Sequence, residues 1–392
     1  MFVLDCEIKP YAWGSHSAIA SLMRRASPSK RPEAELWMGA HPLGSSRVRL
    51  ASGDRSLLEW AAAEPERVLG QAHQQRFGRL SFLLKVLAAD QPLSLQVHPS
   101  LEQARAGFAR EEAANVPRDA NERNYKDDNH KPELLVALGR FEALSGFREA
   151  SEAKALLDRL RIPTIDALLA ASSSLKELFA AILSLSVEER TEIAAPLVEA
   201  TTREAKRGDE HALALGWAAE LATRYPGDPG APASLLLRYV SLVAGEGVYL
   251  GAGNLHAYLR GVGIEIMASS DNVLRGGLTP KHVDIGELLR VIDFDAEAPA
   301  VLSASKVGPF EWAYDTPAAE FRLSRLELTA GASVTIRTTG PEILLVTRGS
   351  VTGTSAEATA LLGAGDSAFV PAVASSYELS GDGEVFRARA GA

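Results

Sequence analysis

The chain has 392 residues, of which 46% are hydrophobic, and a formal net charge of −9 at pH 7. This length is roughly two to three times that of a usual domain, so two or three domains are expected. The negative balance, with lysines and arginines spread along the chain, argues against nucleic acid or an anionic membrane as the main partner. Cys6 is the only cysteine, which excludes an intramolecular disulfide and a metal site built from several thiolates.

The first residues and the hydropathy pattern indicate in which cellular compartment the protein is expected. Asp5 and Glu7 interrupt the apolar N-terminal stretch, and no basic segment precedes it, which is unlike a signal peptide. No run of about 18 or more apolar residues occurs, so the sequence predicts no membrane-spanning helix. Together these features predict a cytoplasmic protein.

Strand patterns occupy both ends of the chain. Residues 1–150 mix such patterns with loops: residues 82–87 form a compact apolar run, and residues 93–98 alternate apolar and polar side chains. Strand patterns return in residues 246–300 and continue through 301–392, where short β-branched or aromatic runs alternate with glycine-rich turns. Regular short strands of this kind predict sandwiches or barrels of the jelly-roll type.

Residues 151–245 have a helical pattern. Ser186, followed three residues later by Glu189, fits a capping box at a helix N-terminus. Prolines and glycines at 226–230 interrupt the pattern, and a last helix is predicted at 234–243. No residue here suggests chemistry, so we interpret the segment as an inserted cap or spacer. The predicted fold class is therefore mainly β with an α-helical insertion.

Two polar clusters belong to the first segment. In residues 93–99, LSLQVHP, the side chains of Ser94, Gln96 and His98 would share one strand face. An amide oxygen and an imidazole two residues apart either offer two ligands to one metal ion or lie on a solvated face. In residues 129–133, NHKPE, a carboxylate follows a stiffening proline, either as a ligand or as a surface residue at the start of a strand.

Two further clusters follow the helical segment. Residues 251–258, GAGNLHAY, set His256 on a strand entered from a glycine-rich turn, where it is either a ligand or a hydrogen-bonded core histidine. Residues 264–281, IEIMASSDNVLRGGLTPK, place Arg275 and Lys281 on either side of a glycine turn. Two cations in such a polar loop of an acidic chain favour a binding loop over a merely solvated one.

In this order, the four clusters resemble the type I mannose-6-phosphate isomerase family. The resemblance starts at residues 11–14, YAWG, and at residues 33–39, EAELWMG, and it runs to about residue 294. Its most specific part is residues 270–281. The family has a cupin-type jelly-roll β-sandwich with a helical insertion and binds one zinc ion per chain.

The resemblance implies a division of the chain and a set of zinc ligands. It implies a catalytic cupin domain in residues 1–150 and 246–300, a helical insertion in 151–245, and a C-terminal cupin-like β domain in 301–392. The zinc ligands carried over from the family are Gln96, His98, Glu133 and His256. Oxygen and nitrogen donors of these types suit zinc.

The resemblance also implies an activity, the interconversion of mannose 6-phosphate and fructose 6-phosphate through an enediol-like intermediate. Arg275 is expected to stabilise developing charge, and either Lys131 or Glu265 is expected to transfer the proton between C2 and C1. The expected phosphate contacts are Lys85, Ser94 and Lys281, and the expected sugar-pocket residues are Tyr258 and Trp13, with core packing as the alternative for Trp13. The partner is thus a small sugar phosphate.

Two other functions compete with this one. A cupin-type iron oxygenase could use His98, Glu133 and His256 as its two histidines and carboxylate, although Gln96 and the loop with Arg275 have no part in oxygen chemistry. A non-catalytic sugar-phosphate sensor would lack a ligand or the arginine, and all these positions are filled. No histidine follows His282, so the C-terminal β domain is expected to bind no catalytic metal and to be a structural or interface unit.

Overall fold

Two large antiparallel β-sheets organise the fold in the computed structural model, which describes residues 1–50 and 53–391. The strands are β1 (Phe2–Asp5), β2 (Glu7–Lys9), β3 (Glu35–Met38), β4 (Ala40–His41), β5 (Gly44–Ser45), β6 (Arg47–Leu50), β7 (Gly53–Ser56), β8 (Phe82–Ala89), β9 (Gln96–Val97), β10 (Glu133–Ala137), β11 (Phe141–Phe147), β12 (Leu237–Leu242), β13 (Glu246–Leu250), β14 (His256–Ala268), β15 (Leu274–Arg275), β16 (Val301–Ser303), β17 (Ser305–Lys306), β18 (Glu311–Ala313), β19 (Arg322–Arg337), β20 (Glu342–Ser355), β21 (Thr359–Gly363), β22 (Ser367–Val370) and β23 (Ser376–Arg389).

Half of the α-helices in the described part of the chain lie between β11 and β12. The helices are α1 (Ala18–Leu22), α2 (Leu57–Ala63), α3 (Pro65–Val68), α4 (Gln71–Phe77), α5 (Leu101–Ala113), α6 (Ala150–Asp158), α7 (Pro163–Ala171), α8 (Leu175–Leu183), α9 (Val187–Ala205), α10 (Ala212–Arg224), α11 (Gly230–Ala233) and α12 (Ile285–Val291). Among the described residues, no helix has both the length and the apolar character needed to cross a membrane. The predicted class, mainly β with a helical segment, is confirmed.

The C-terminal strands form a sheet that also takes up strands from the start of the chain. Its order is β17-β18-β19-β23-β20-β22-β1-β6-β7, and β21 pairs with β20. Phe2 of β1 lies opposite Phe369 of β22, so the first residues are paired to the last part of the chain. The division of the chain into four parts remains a prediction.

The second sheet carries the residues singled out in the sequence. Its order is β16-β13-β10-β14-β8-β3-β2, with β11 and β9 also paired to β14. The long strand β14 pairs with β10, where Glu265 lies opposite Leu135, and with β8, where Glu265 lies opposite Lys85. Two sequence-distant polar residues thereby meet on neighbouring strands, since directly paired residues share a sheet face.

Two hydrophobic clusters fix these layers. One lies between the two sheets and includes Leu84, Ile264 and Ile343, all fully buried. The other joins the helical segment to the site strand, because Leu95 and Val97 pack into the same cluster as helix α8. The apolar side chains of residues 93–98 therefore face the helices and leave Gln96 on the opposite side.

The helix predicted for residues 234–243 is wrong. Ser234–Leu236 is one 3₁₀ turn, and Leu237–Leu242 is strand β12, which pairs with β11. A short apolar run does not distinguish a helix from a buried strand, and here pairing to β11 decides. The capping box of Ser186 and Glu189 is confirmed at the start of α9.

Candidate active site

One cavity of about 550 Å³ lies over the face of the second sheet. Of the residues that the sequence singled out for a site, all except His98 line it: Trp13, Lys85, Ser94, Gln96, Lys131, Glu133, His256, Tyr258, Glu265, Arg275 and Lys281. We call this cavity the chamber. It brings together strands β8, β9, β10, β14 and β15, which are separated by long stretches of sequence.

Three side chains at the buried end of the chamber are arranged as metal ligands. One ligand atom each from His98, Glu133 and His256 lies within 4.8 Å of the others, and all three residues are buried. Nε2 of His98 is 3.4 Å from Oε1 of Glu133, and Nε2 of His256 is 3.6 Å from Oε2. Two imidazoles that flank one carboxylate form a donor set suited to a divalent transition metal.

The hydrogen bonds of the two imidazoles direct their Nε2 atoms into this site. Nδ1 of His98 is 2.7 Å from the carbonyl oxygen of Asn272, and Nδ1 of His256 is 3.0 Å from that of Asn254. A carbonyl accepts only, so Nδ1 carries the proton and Nε2 has a free lone pair. Nε2 of His98 is buried and has no hydrogen-bond partner among the described residues. Such an unsatisfied buried atom fits a bound metal ion.

The ionisation of the triad suits a metal as well. Burial and the neighbouring His98 lower the pKa of His256 to about 4, so this imidazole is neutral at pH 7. Burial opposes ionisation of Glu133, but the ammonium group of Lys131 holds the pKa of this carboxyl well below its usual range. Nζ of Lys131 is 2.8 Å from Oε1 of Glu133.

Gln96 lies between the triad and the cationic loop. In the short ladders of β9, it is directly opposite His256 on one side and Arg275 on the other. Its Nε2 donates to the Ser94 hydroxyl at 3.2 Å, which leaves the amide oxygen free to accept or to coordinate.

A buried carboxylate–lysine–carboxylate group forms another wall. Nζ of Lys85 is 3.0 Å from Oε2 of Glu265 and 3.6 Å from Oε1 of Glu35. Trp37 fixes Glu35 by donating its indole N–H at 2.7 Å. Burial raises the pKa of Glu265. Lys85 lowers this pKa, but the negative charges of Glu133 and Glu35 offset part of the effect of Lys85. A buried carboxyl of raised pKa is suited to accept and return a proton.

Arg275 and Lys281 form the positively charged rim of the chamber. Arg275 is partly buried, Lys281 is exposed, and neither has a carboxylate within 4.0 Å in the described part of the chain. Arg275 lowers the pKa of Lys281, with burial and Lys126 adding to the effect. Two positive charges that repel each other and have no carboxylate partner create a positive potential that attracts an anion.

The sequence reasoning missed Asn272, a fully buried residue that positions a ligand. Its side chain accepts the backbone N–H of Lys126 at 2.7 Å and donates to the carbonyl of Asn129 at 2.8 Å, while its own carbonyl holds His98. The only available signal was its position at the end of the polar run of residues 269–272, SSDN.

The helical segment also reaches the site, which the spacer interpretation overlooked. Tyr225 lines the chamber. Oδ1 of Asp228 accepts the backbone N–H of Leu278 at 2.8 Å, next to the glycine turn of the cationic loop. Gly277 and Gly230 touch here: a Cβ on Gly277 would lie 2.7 Å from the Cα of Gly230. Glycine is therefore required where the two segments meet.

The fold and the site together define a class, metal-binding β-sandwich enzymes whose reaction chamber receives an anionic ligand. The family model "Phosphomannose isomerase type I, catalytic domain" matches residues 1–150. The mannose-6-phosphate isomerase of Escherichia coli (strain K12) is 41% identical over 387 residues, with 97% of each chain covered. The one from Homo sapiens is 31% identical, with 90% of this chain and 88% of the relative covered.

Solved structures agree over the whole chain. A mutant of phosphomannose isomerase from Salmonella typhimurium superposes with a TM-score of 0.92 at 37% identity, covering all of both chains. A zinc-bound holo mannose 6-phosphate isomerase gives 0.90 at 38% identity, covering 100% and 99%. The chain belongs to the type I mannose-6-phosphate isomerase family, and the resemblance stated from the sequence is confirmed.

Proposed function

We propose that this protein is a zinc-dependent aldose–ketose isomerase that interconverts mannose 6-phosphate and fructose 6-phosphate. The observation that carries the proposal is one chamber that holds a metal triad, a buried carboxyl of raised pKa and unpaired cations. Membership of a family whose members carry this name supports it.

The proposed zinc ligands are Gln96, His98, Glu133 and His256. The bare Nε2 atoms and the free amide oxygen support this set. Zinc bound there supplies Lewis-acid polarisation of a sugar oxygen. The protein's own part is to orient both imidazoles with Nε2 toward the site, through the carbonyls of Asn272 and Asn254.

The reaction moves a proton from C2 of mannose 6-phosphate to C1, and we assign that transfer to Glu265. Its carboxylate takes the proton from C2, which leaves an enediol-like intermediate, and the carboxylic acid returns it to C1, while the hydroxyl proton on O2 passes to O1 so that C2 becomes the carbonyl carbon. The raised pKa and the ion pair with Lys85 support this choice. Lys131 is already engaged by Glu133 at 2.8 Å, so we assign it to holding that ligand and stabilising charge on the nearby sugar oxygens.

Arg275 is proposed to stabilise the negative charge that develops on the sugar oxygens, because its guanidinium has no competing carboxylate in the described structure. Lys281 and Ser94 are proposed to hold the phosphate dianion. Lys85 was expected to share that role, but two carboxylates already surround its ammonium. We therefore propose that it positions Glu265 and does not bind phosphate.

The remaining assignments follow from the same picture. Tyr258, fully buried beside His256, and Trp13, stacked on Tyr11 at 5.8 Å, are proposed to line the sugar pocket. The C-terminal strands are proposed to be a structural or interface unit. Because a sugar phosphate is an anion that does not pass a bilayer unaided, the proposed place of action is the cytoplasm.

No observation favours an oxygenase or a sensor. The Glu265–Lys85–Glu35 group and the cationic rim have no role in oxygen activation, and every position needed for isomerisation is filled. The test of proton transfer is isomerisation in D₂O, followed by NMR. Deuterium at C1 of fructose 6-phosphate is expected to the extent that the Glu265 carboxyl exchanges with solvent before it returns the proton. Glu265→Gln should lose both isomerisation and deuterium incorporation, and incorporation at the unmodified rate in this variant would contradict transfer through Glu265.

A further inference from the structure

A second cavity adjoins the chamber and is larger than it. Its volume is about 1150 Å³, against about 550 Å³ for the chamber. The two cavities share four lining residues: Leu43, Asp271, Arg275 and Lys281. Nothing in the proposed isomerisation uses the second cavity, because a hexose phosphate that reacts at the triad lies on the other side of this common wall.

The common wall carries the positive charge that is free to bind an anion. Arg275 and Lys281 have no carboxylate partner in the described structure. Of the other cations that line the second cavity, Arg123 pairs with Glu112 at 2.6 Å and Nζ of Lys126 donates to backbone carbonyls, whereas the exposed Arg79 has no carboxylate within 4.0 Å among the described residues. Arg275 and Lys281 are the unpaired cations that the two cavities share, so an anion on the common wall contacts the same two side chains from either cavity.

Apolar side chains line part of the second cavity along helix α2 and the segment that follows it. Helix α2 contributes Leu58, Ala61 and Ala62, and Leu69 and Leu80 continue this surface. At the junction of the two cavities, the side chain of Leu43 is 66% exposed. An occupant that meets both ends must combine an anionic group with an apolar body.

We propose that the second cavity binds a phosphate monoester whose alcohol is aromatic or otherwise apolar. The phosphate lies on Arg275 and Lys281, and the apolar body lies against Leu58 and Ala62. Because the two cations are shared, such a ligand excludes the sugar phosphate and is a competitive inhibitor of the chamber. The predicted competition with the sugar phosphate rests on the proposed function. Binding of the apolar phosphate monoester to the second cavity does not depend on isomerase activity.

The test is calorimetric titration of the metal-loaded protein with 1-naphthyl phosphate, inorganic phosphate and 1-naphthol. We expect 1-naphthyl phosphate to bind at least about tenfold more tightly than either of the other two, because only it uses both ends of the site. Ala62→Glu places a carboxylate on the apolar wall and should remove this advantage. Ala63→Glu is the matched control, since Ala63 is exposed on the same helix and does not line the cavity.

Three results would overturn the proposal. They are equal affinities for 1-naphthyl phosphate and inorganic phosphate, equal affinities for 1-naphthyl phosphate and 1-naphthol, and equal losses in the two alanine variants. Both variants should keep the KM for mannose 6-phosphate within about twofold, because neither residue lines the chamber. A protein that binds 1-naphthyl phosphate as expected but isomerises nothing would contradict the proposed function and leave this inference standing.

Discussion

The carboxylate of Asp228 holds the backbone of Leu278 in a left-handed conformation. Oδ1 of Asp228 accepts the N–H of Leu278 at 2.8 Å, Oδ2 accepts that of Thr279 at 3.3 Å, and Leu278 has a φ of 57°. A non-glycine residue in this region costs about 1–3 kcal/mol, which the surroundings must offset. A residue of the helical segment therefore sets the shape of the loop between Arg275 and Lys281.

Replacing Asp228 with alanine should therefore weaken substrate binding more than it slows the chemical step. Each lost hydrogen bond to the charged carboxylate is worth about 1.5–3 kcal/mol, so the KM for mannose 6-phosphate should rise about tenfold or more. Asp228→Asn keeps one acceptor oxygen and should restore most of the loss. Steady-state kinetics separate KM from kcat, and an unchanged KM in Asp228→Ala would refute the role.

The two cations of the rim should differ in their kinetic effects. Arg275→Met should lower kcat by about 10²–10³, as loss of a group that stabilises developing charge does. Lys281→Met should mainly raise KM, because a phosphate contact acts in the ground state and the transition state alike. Arg260→Met is the control, since Arg260 lies on β14 outside the chamber and pairs with Glu220. Equal kcat effects for Arg275→Met and Lys281→Met would contradict the division of roles.

The proton-transfer assignment predicts a pH dependence. Glu265 must be ionised to accept the C2 proton, and its pKa is raised by burial. The value of kcat/KM should therefore fall as the pH is lowered through that raised pKa, at a higher pH than for an ordinary glutamate. Glu265→Gln should abolish most activity and, with it, the decrease of kcat/KM at low pH, which we call the acidic limb. Lys131→Met should lower kcat but keep the acidic limb. Loss of the limb in Lys131→Met alone would move the assignment to Lys131.

A histidine remote from the chamber predicts a stability effect. His73 of α4 is 6% exposed, and its Nε2 donates to the carbonyl of Arg79 at 3.0 Å. Burial lowers its pKa in the folded protein from the usual 6.5. Below pH 6.5 the unfolded chain takes up this proton first, so the free energy of unfolding should decrease until the folded pKa is reached. His73→Gln retains a donor for Arg79 and should flatten this decrease in urea titrations, and an identical slope would exclude His73 as its source.

The sequence anticipated the site better than the connections that support it. The clusters around His98, Glu133 and His256 could be singled out by their residue types within a few positions, and the family resemblance then assigned them as ligands. The hydrogen bond between Asp228 and Leu278 cannot be predicted from local sequence, because it joins positions that are 50 residues apart and uses a backbone N–H group, which nearly every residue has. The helix predicted over 234–243 failed for a similar reason, since pairing with β11 is tertiary and no local period reports it.

The most direct test of the proposed function is isomerisation of mannose 6-phosphate to fructose 6-phosphate by the purified protein. The assay is run on the protein as isolated, after exhaustive chelation, and after zinc is returned. The chamber built on His98, Glu133 and His256 predicts activity that disappears with chelation and recovers with zinc. Full activity in verified metal-free protein would contradict the metal site, and inactivity of the folded, zinc-loaded protein would contradict the reaction itself.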